Sequence, residues 1–228
     1  MTVRVEPGPM NEGNVLSVPR ETLDRFRAYV SRETWERLEV YVGLLRRWSG
    51  TLNLIAPGDL ARVWSHHVAD SLQLLPLLAS HRPPLLDIGS GGGFPGMVLA
   101  IALGGPVSLV ERDKRKAAFL REVAHTLSLP VSVHAADIES LDLPPHDIVT
   151  ARAVAPLAQL IAWSRPKLSR EGVACFFKKD EDLKELDAIA LPPSARVHLH
   201  PNQVRPGGKI LLIEGLGADR PSTEGAAQ

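Results

Sequence analysis

Four of the five residues from position 89 to position 93 are glycine, and they follow directly on an apolar run in the stretch LLDIGSGGGFPG. Glycine loses more conformational freedom on folding than any other residue. Such clustering is therefore costly unless the backbone must take a positive φ or let something approach closely. An apolar strand that ends in such a turn, with a helix starting near Gly96, is the opening of a βα unit. The same rhythm continues downstream. Short β-rich runs at 85–88, 107–110, 131–133, 147–150 and 173–177 alternate with helical stretches at 96–103, 114–127, 156–168 and 182–189. This alternation predicts a doubly wound α/β fold, a parallel sheet with helices on both faces. Two last runs, 196–200 and 209–213, flank a Pro-Gly-Gly turn and predict a terminal antiparallel hairpin.

The chain before this region reads differently. Leu23, Phe26 and Val30 form one short stripe, and Trp35, Leu38, Val42, Leu45 and Trp48 recur at three and four residues. That spacing predicts an amphipathic helix of about four to five turns, with Arg37, Glu39, Arg46 and Arg47 on its polar face. The two tryptophans are expected in the core. The pattern breaks at a Pro-Gly pair. Asp59 is placed to cap a third helix, with Val63, His67, Asp70, Leu74 and Leu78 on or near one face. Of the adjacent His66 and His67, at most one is expected on the inner side. The resulting organisation is a disordered tail over 1–16, an N-terminal helical cap over 17–82, the α/β domain over 83–214 and a second disordered tail over 215–228.

The 228 residues suffice for one α/β domain with an added element. Lys and Arg number 26 against 26 Asp and Glu, which argues against a whole-molecule polyanion binder but not against a local basic face. The single cysteine, Cys175, excludes an intramolecular disulfide and leaves a Cys-based zinc site without partners. It lies in an apolar strand and reads as inert packing. The apolar run 97–103 is far shorter than the ~20 residues a membrane span needs. The opening MTVRVEPGPMNEGN has no secretory h-region, so a cytoplasmic location is expected.

Two nucleoside cofactors fit the glycine loop. Gly91, Gly93 and Gly96 match the dinucleotide pattern G-x-G-x-x-G, which by itself is weak. Asp87, Gly89, Gly91 and Gly93 also match the first motif of S-adenosylmethionine (SAM) methyltransferases, in which the acidic residue serves the methionine amino end. Glu111 follows Gly89 by 22 positions, at the tip of the second strand and in reach of ribose hydroxyls. Asp137 and Glu139 follow the third strand, where such methyltransferases hold adenine. These acidic positions favour SAM, and a nicotinamide oxidoreductase stands as the alternative.

The segments LLRRWSGTLNLIA, HHVADSL, DIGSGGGFPG, ARAVAPLAQLIAW and FFKK, spread over residues 38–212, resemble the bacterial 16S ribosomal RNA guanine-N7 methyltransferases, the RsmG or glucose-inhibited division protein B family. The resemblance implies a Rossmann-like methyltransferase sheet and SAM as methyl donor, with S-adenosylhomocysteine as product. It also implies a guanine N7 in small-subunit ribosomal RNA, or in the 30S particle, as acceptor. It points to Gly89, Gly91 and Phe94 as cofactor contacts, Glu111 as the ribose acid, and Ile138 and Glu139 as the adenine-edge pair beside Asp137. It places Arg152 beside both cofactor and substrate, with Lys178 on the next strand, and these two are the expected catalytic residues. Asn53, His67 and Asp70 match polar positions around the pocket. The chain departs from the family at Lys178-Lys179, where Lys-Gly is common, and at Glu111, where Asp is usual. The segment 202–209 matches poorly, and no site residue is taken from it.

Guanine N7 carries a lone pair and no proton, so in-line methyl transfer needs alignment rather than a general base. No nucleophile elbow, metal-binding His-x-x-x-His helix or Cys–base pair is present in the sequence. RNA contacts are expected from Arg46, Arg47, Arg112, Lys114, Arg115, Lys116, Arg152, Lys178 and Lys179. No membrane or metal partner is expected, and the chain is expected to be a monomer. A SAM-sensing RNA-binding module without turnover is a further alternative.

Overall fold

The computed structural model describes residues 20–217. The expected tail over 1–16, and residues 218–228 of the C-terminal one, lie outside the described residues. Helices α1 (Arg20–Arg27) and α2 (Arg32–Ser49) lead the chain. Ser31 caps α2 by accepting from the Thr34 amide. A π-helical turn, Trp64–Val68, runs into the short α3 (Ala69–Leu72) and α4 (Leu74–Leu77). Then come β1 (Leu85–Ile88), α5 (Gly96–Leu103), β2 (Val107–Val110), α6 (Lys114–Thr126) and β3 (Val131–His134). The chain continues through β4 (His146–Arg152), α7 (Leu157–Ser164), β5 (Leu168–Lys179), β6 (Arg196–Pro201) and β7 (Gly208–Glu214).

The seven strands form one sheet in the order β3-β2-β1-β4-β5-β7-β6. β1 to β5 are parallel, and β7 runs antiparallel to both β5 and β6. The expected terminal hairpin is therefore present, with its second strand inserted next to β5. A dinucleotide-binding domain of order 3-2-1-4-5-6 has no such inserted strand.

Strand alternation sorts the apolar side chains between two cores. Leu85, Ile148, Val173, Cys175 and Ile210 join α2, α5, α6 and the helical turns before β1 on one face. Leu86, Ile88, Val149, Phe176 and Leu211 join α7 on the other. Trp35 is buried and Trp48 packs against the first core. Cys175 is buried, and burial pushes its thiol pKa up.

Three local expectations change. Asp59 lies in a short 3₁₀ turn (Pro57–Asp59) and caps nothing; its carboxylate accepts instead from Arg62 and His67. The stretch 182–189 forms a 3₁₀ helix, Asp182–Ala188, rather than an α-helix. Leu216, inside the expected tail over 215–228, is only 1% exposed, because its apolar side chain finishes the second core.

The β1–α5 crossing is tight. A Cβ on Gly96 would stand 2.5 Å from the Asp87 carboxylate and 2.6 Å from Leu109. Gly96→Ala should therefore cost about 1–3 kcal/mol of stability by overpacking. Urea denaturation checks this, and an unchanged midpoint would contradict it.

Candidate active site

Parallel α/β sheets place ligands beyond the C-terminal strand ends, where the strand order reverses. Here that point lies between β1 and β4. A crevice of about 330 Å³ opens there, lined among others by Gly89, Gly91, Glu111, Asp137, Ile138 and Arg152. The loop that floors it needs its glycines. Gly89 has φ +72°, and a Cβ there would stand 2.4 Å from Val154 Cγ2. Gly91 has φ +54°, and the nearest atom to its would-be Cβ is the Gly89 carbonyl oxygen at 3.9 Å, so this residue faces open space.

Glu111 is buried at the end of β2. Its carboxylate accepts from the Gly91 amide and from the Asp113 amide, each at 2.8 Å. The longer side chain found here in place of aspartate ties the glycine loop to the next loop. Each oxygen keeps a further lone pair for a ribose diol. Asp137 caps the turn Ile138–Ser140 by accepting from the Glu139 amide at 3.0 Å.

Three expected cofactor contacts point elsewhere. Asp87 belongs to the strand face that meets α5, by the same alternation that divides the cores. It is 1% exposed, accepts from Thr150 Oγ1 at 2.7 Å and stays outside the crevice. Its burial raises its pKa. Phe94 turns beneath the loop into the helical segment, packing on Tyr41 and His67. The Glu139 carboxylate accepts from Trp163 Nε1 at 2.6 Å and so holds that ring at the crevice, rather than lining it itself.

A larger cavity of about 980 Å³ adjoins the crevice, lined by residues including His66, Asp70, Lys178, Asn202 and Arg205. The two share Arg152, Ala153 and Val154. Ala153 holds φ +53°, a left-handed conformation that costs a non-glycine residue about 1–2 kcal/mol, and Val154 is 40% exposed. Lys178 Nζ donates to Ala155 O at 2.9 Å and so pins this dividing turn; burial lowers its pKa, against Asp182 and Glu185. Lys178 lines the larger cavity and not the crevice. Asn53 is exposed and lines neither cavity.

Arg152 is held on several sides. Its Nη1 donates to Asp70 Oδ2 at 3.2 Å, its Nη2 to His67 Nδ1 at 2.7 Å, and its guanidinium stands 5.3 Å from the Phe94 ring centroid. Asp70 is fully buried. Its Oδ1 accepts from Gln73 Nε2 and Asn202 Nδ2, both at 2.7 Å, and Arg205 Nε lies 3.1 Å from its Oδ2. The π-helical turn brings both histidines to the site: the His66 carbonyl accepts from Arg205, and the His67 ring meets Arg152.

Gln73, Asn202 and Arg205 were not among the expected site residues. Asn202 Oδ1 accepts from the Val204 and Arg205 amides, a local turn that orders the segment 202–208 against Asp70. An Asn four residues before a Pro-Gly-Gly was the available signal. Tyr41 was also missed; buried on α2, it donates to the Gly92 carbonyl at 2.6 Å and ties the helical segment to the loop. Of the expected RNA contacts, Arg112 and Lys116 line the crevice, Lys179 lines the larger cavity, and Arg46 and Arg47 are exposed on α2. Among the described residues, no group of three or more His, Cys, Asp or Glu side chains could hold a metal ion, and no helix is long and apolar enough to cross a membrane.

The antiparallel seventh strand, the glycine loop and the acid at the tip of β2 define a Rossmann-like SAM-dependent methyltransferase. The fold is shared with the ribosomal protein L11 methylase of Lactobacillus delbrueckii subsp. bulgaricus. That comparison has a TM-score of 0.54 at 15% identity and covers 65% of this chain and 78% of that one. The family model described as rRNA small subunit methyltransferase G matches residues 34–198. The chain is 48% identical over 187 residues to ribosomal RNA small subunit methyltransferase G of Granulibacter bethesdensis, covering 82% of this chain and 88% of that protein. It is 42% identical over 202 residues to the protein of the same name from Paramagnetospirillum magneticum, covering 89% and 98%. The chain belongs to this methyltransferase family, and the nicotinamide alternative falls.

Proposed function

We propose that this protein transfers the methyl group of SAM to N7 of a guanine in small-subunit ribosomal RNA. The donor would occupy the smaller crevice and the acceptor base the larger cavity. The observation that carries the reading is the shared wall: Arg152, Ala153 and Val154 line both spaces. Two reactants on either side of one turn can be brought within attacking distance without a large rearrangement.

SAM supplies a methyl group already activated by its sulfonium. The chain's own groups bind and orient. Gly91 admits the ligand close to the backbone, Gly89 makes room for Val154 of the shared wall, and Glu111 and Asp137 present acceptors at two strand ends. Proton removal is not required, and the polar groups nearest the wall are committed elsewhere. Both Glu111 oxygens hold amides, both Asp70 oxygens face donors, and His67 Nδ1 faces Arg152. The cavity's size suits a base turned out of its stack, and Arg205, Lys179 and Lys209 at its rim can meet phosphates. The proposed setting is the cytoplasm and the proposed working form a monomer, which light scattering can check.

The decisive experiment is tritiated methyl transfer to unmethylated 30S particles, followed by mass spectrometric mapping of the nucleoside. N7-methylguanosine is the expected product. Absence of incorporation would leave a SAM-sensing RNA binder, and a methyl group on another atom would overturn the N7 assignment. Affinity for the RNA should fall steeply between low and moderate salt, as phosphate contacts require.

A further inference from the structure

The neighbours of His67 dictate its proton state. A guanidinium has N–H donors and no acceptor. Arg152 Nη2 stands 2.7 Å from His67 Nδ1, so Nδ1 must be bare and accept. The ring proton therefore lies on Nε2, 3.1 Å from Asp59 Oδ2, and Asp59 is in turn held by Arg62 at 2.9 Å. Both ring nitrogens are committed, and the side chain is only 7% exposed.

We propose that His67 is a positioning residue for methyl transfer. Held by Asp59 in the Nε2–H tautomer, it accepts from Arg152 and fixes the guanidinium at the wall between crevice and larger cavity. The proposal rests on the two-cavity reading given above. The guanidinium is planar, so two fixed arms set the direction of its remaining donors. One arm goes to Asp70 and the other to His67. Without the second, the group can swing about the first. Phe94 completes the joint: its ring centroid lies 4.8 Å from that of the imidazole, and Arg152 stands over the same ring. His67 thus connects the helical turn before β1, the glycine loop and the end of β4.

The arrangement is indifferent to pH around neutrality. Burial, Arg152 and Arg205 hold the His67 pKa at about 3, against the upward pull of Asp59. The charged and titratable groups facing it are Asp59 and Arg62 from the preceding turn, Asp70 and His66 from its own segment, Arg152 from β4 and Arg205 from the β6–β7 turn. Protonating Nδ1 would require the Arg152 contact to break.

The test uses the full chain with His67→Leu, which removes the acceptor, and His67→Asn, whose Oδ1 can replace Nδ1. Turnover on unmethylated 30S particles, S-adenosylhomocysteine affinity by calorimetry and ¹⁵N histidine NMR are measured. His67→Leu should lose about tenfold or more in kcat, with KM and S-adenosylhomocysteine affinity within about threefold of wild type. His67→Asn should recover to within about threefold of wild-type kcat. The wild-type NMR signal should report Nε2–H and no titration between about pH 5 and 8. Wild-type kcat in His67→Leu, no recovery in His67→Asn, or a His67 titrating near neutrality would each overturn the proposal. If His67→Leu does not fold, His67→Gln and the NMR titration decide. Wild-type protein that transfers no methyl to 30S particles would sink the functional reading. The NMR titration, run without RNA, would still decide whether Asp59 and Arg152 hold His67.

Discussion

Gly91→Asp should lose S-adenosylhomocysteine binding by about 100-fold or more, a change of about 3 kcal/mol in calorimetric titration, with little loss of fold. The two halves of that expectation come from different observations. A Cβ at position 91 meets nothing in the protein nearer than 3.9 Å, and φ +54° lies in the left-handed region that aspartate tolerates better than most residues. The new side chain therefore enters the crevice instead of the core. There it occupies ligand space, and its carboxylate meets that of Glu111, which accepts from this same residue's amide. Two carboxylates so close repel each other and displace the ribose acceptor. The far-ultraviolet spectrum and thermal midpoint should stay near wild type. Unchanged affinity would show that the glycine loop is not the cofactor site.

Arg152→Ala should lower turnover by about 100-fold or more while cofactor affinity stays within about fivefold. Among the described residues, the guanidinium is the one cationic group in contact with both cavities, the loop aromatic and the helical segment. Its loss should also cost about 1–3 kcal/mol of stability, because His67 Nδ1 and Asp70 Oδ2 each lose a donor inside the protein. The cost stays below that of a fully orphaned buried carboxylate. Asp70 keeps Gln73, Asn202 and the nearby charge of Arg205. Arg152→Lys should not restore turnover, since one ammonium cannot make two diverging contacts in a plane. A variant with wild-type rate on 30S particles would remove Arg152 from the site.

These expectations show where sequence reading succeeds and where it stops. The strand-turn-helix at 85–96 was legible because glycine clustering and an apolar run are local signals. The hairpin of β6 and β7 was legible for the same reason, as was the apolar stripe of α2. Side-chain destinations were less so. Asp87 and Glu111 both precede loops as acids and share one strand parity, yet one faces α5 and the other the crevice, because Asp87 lies inside β1 whereas Glu111 stands one residue past the end of β2. Phe94 lies within the motif and still turns away from the crevice, because Tyr41 and His67 offer it an apolar and aromatic seat.

The amino-acid order alone determined the βα alternation, the place of the glycine turn and the acids at the tips of the second and third strands. Periodicity and backbone freedom are properties of short stretches. Only the tertiary structure decided that Asp70 would gather Arg152, Gln73, Asn202 and Arg205, residues spread over more than half the chain. A buried carboxylate takes whatever donors the fold delivers to it, and that delivery depends on β7 entering the sheet beside β5 and carrying the 202–208 turn to the helical segment.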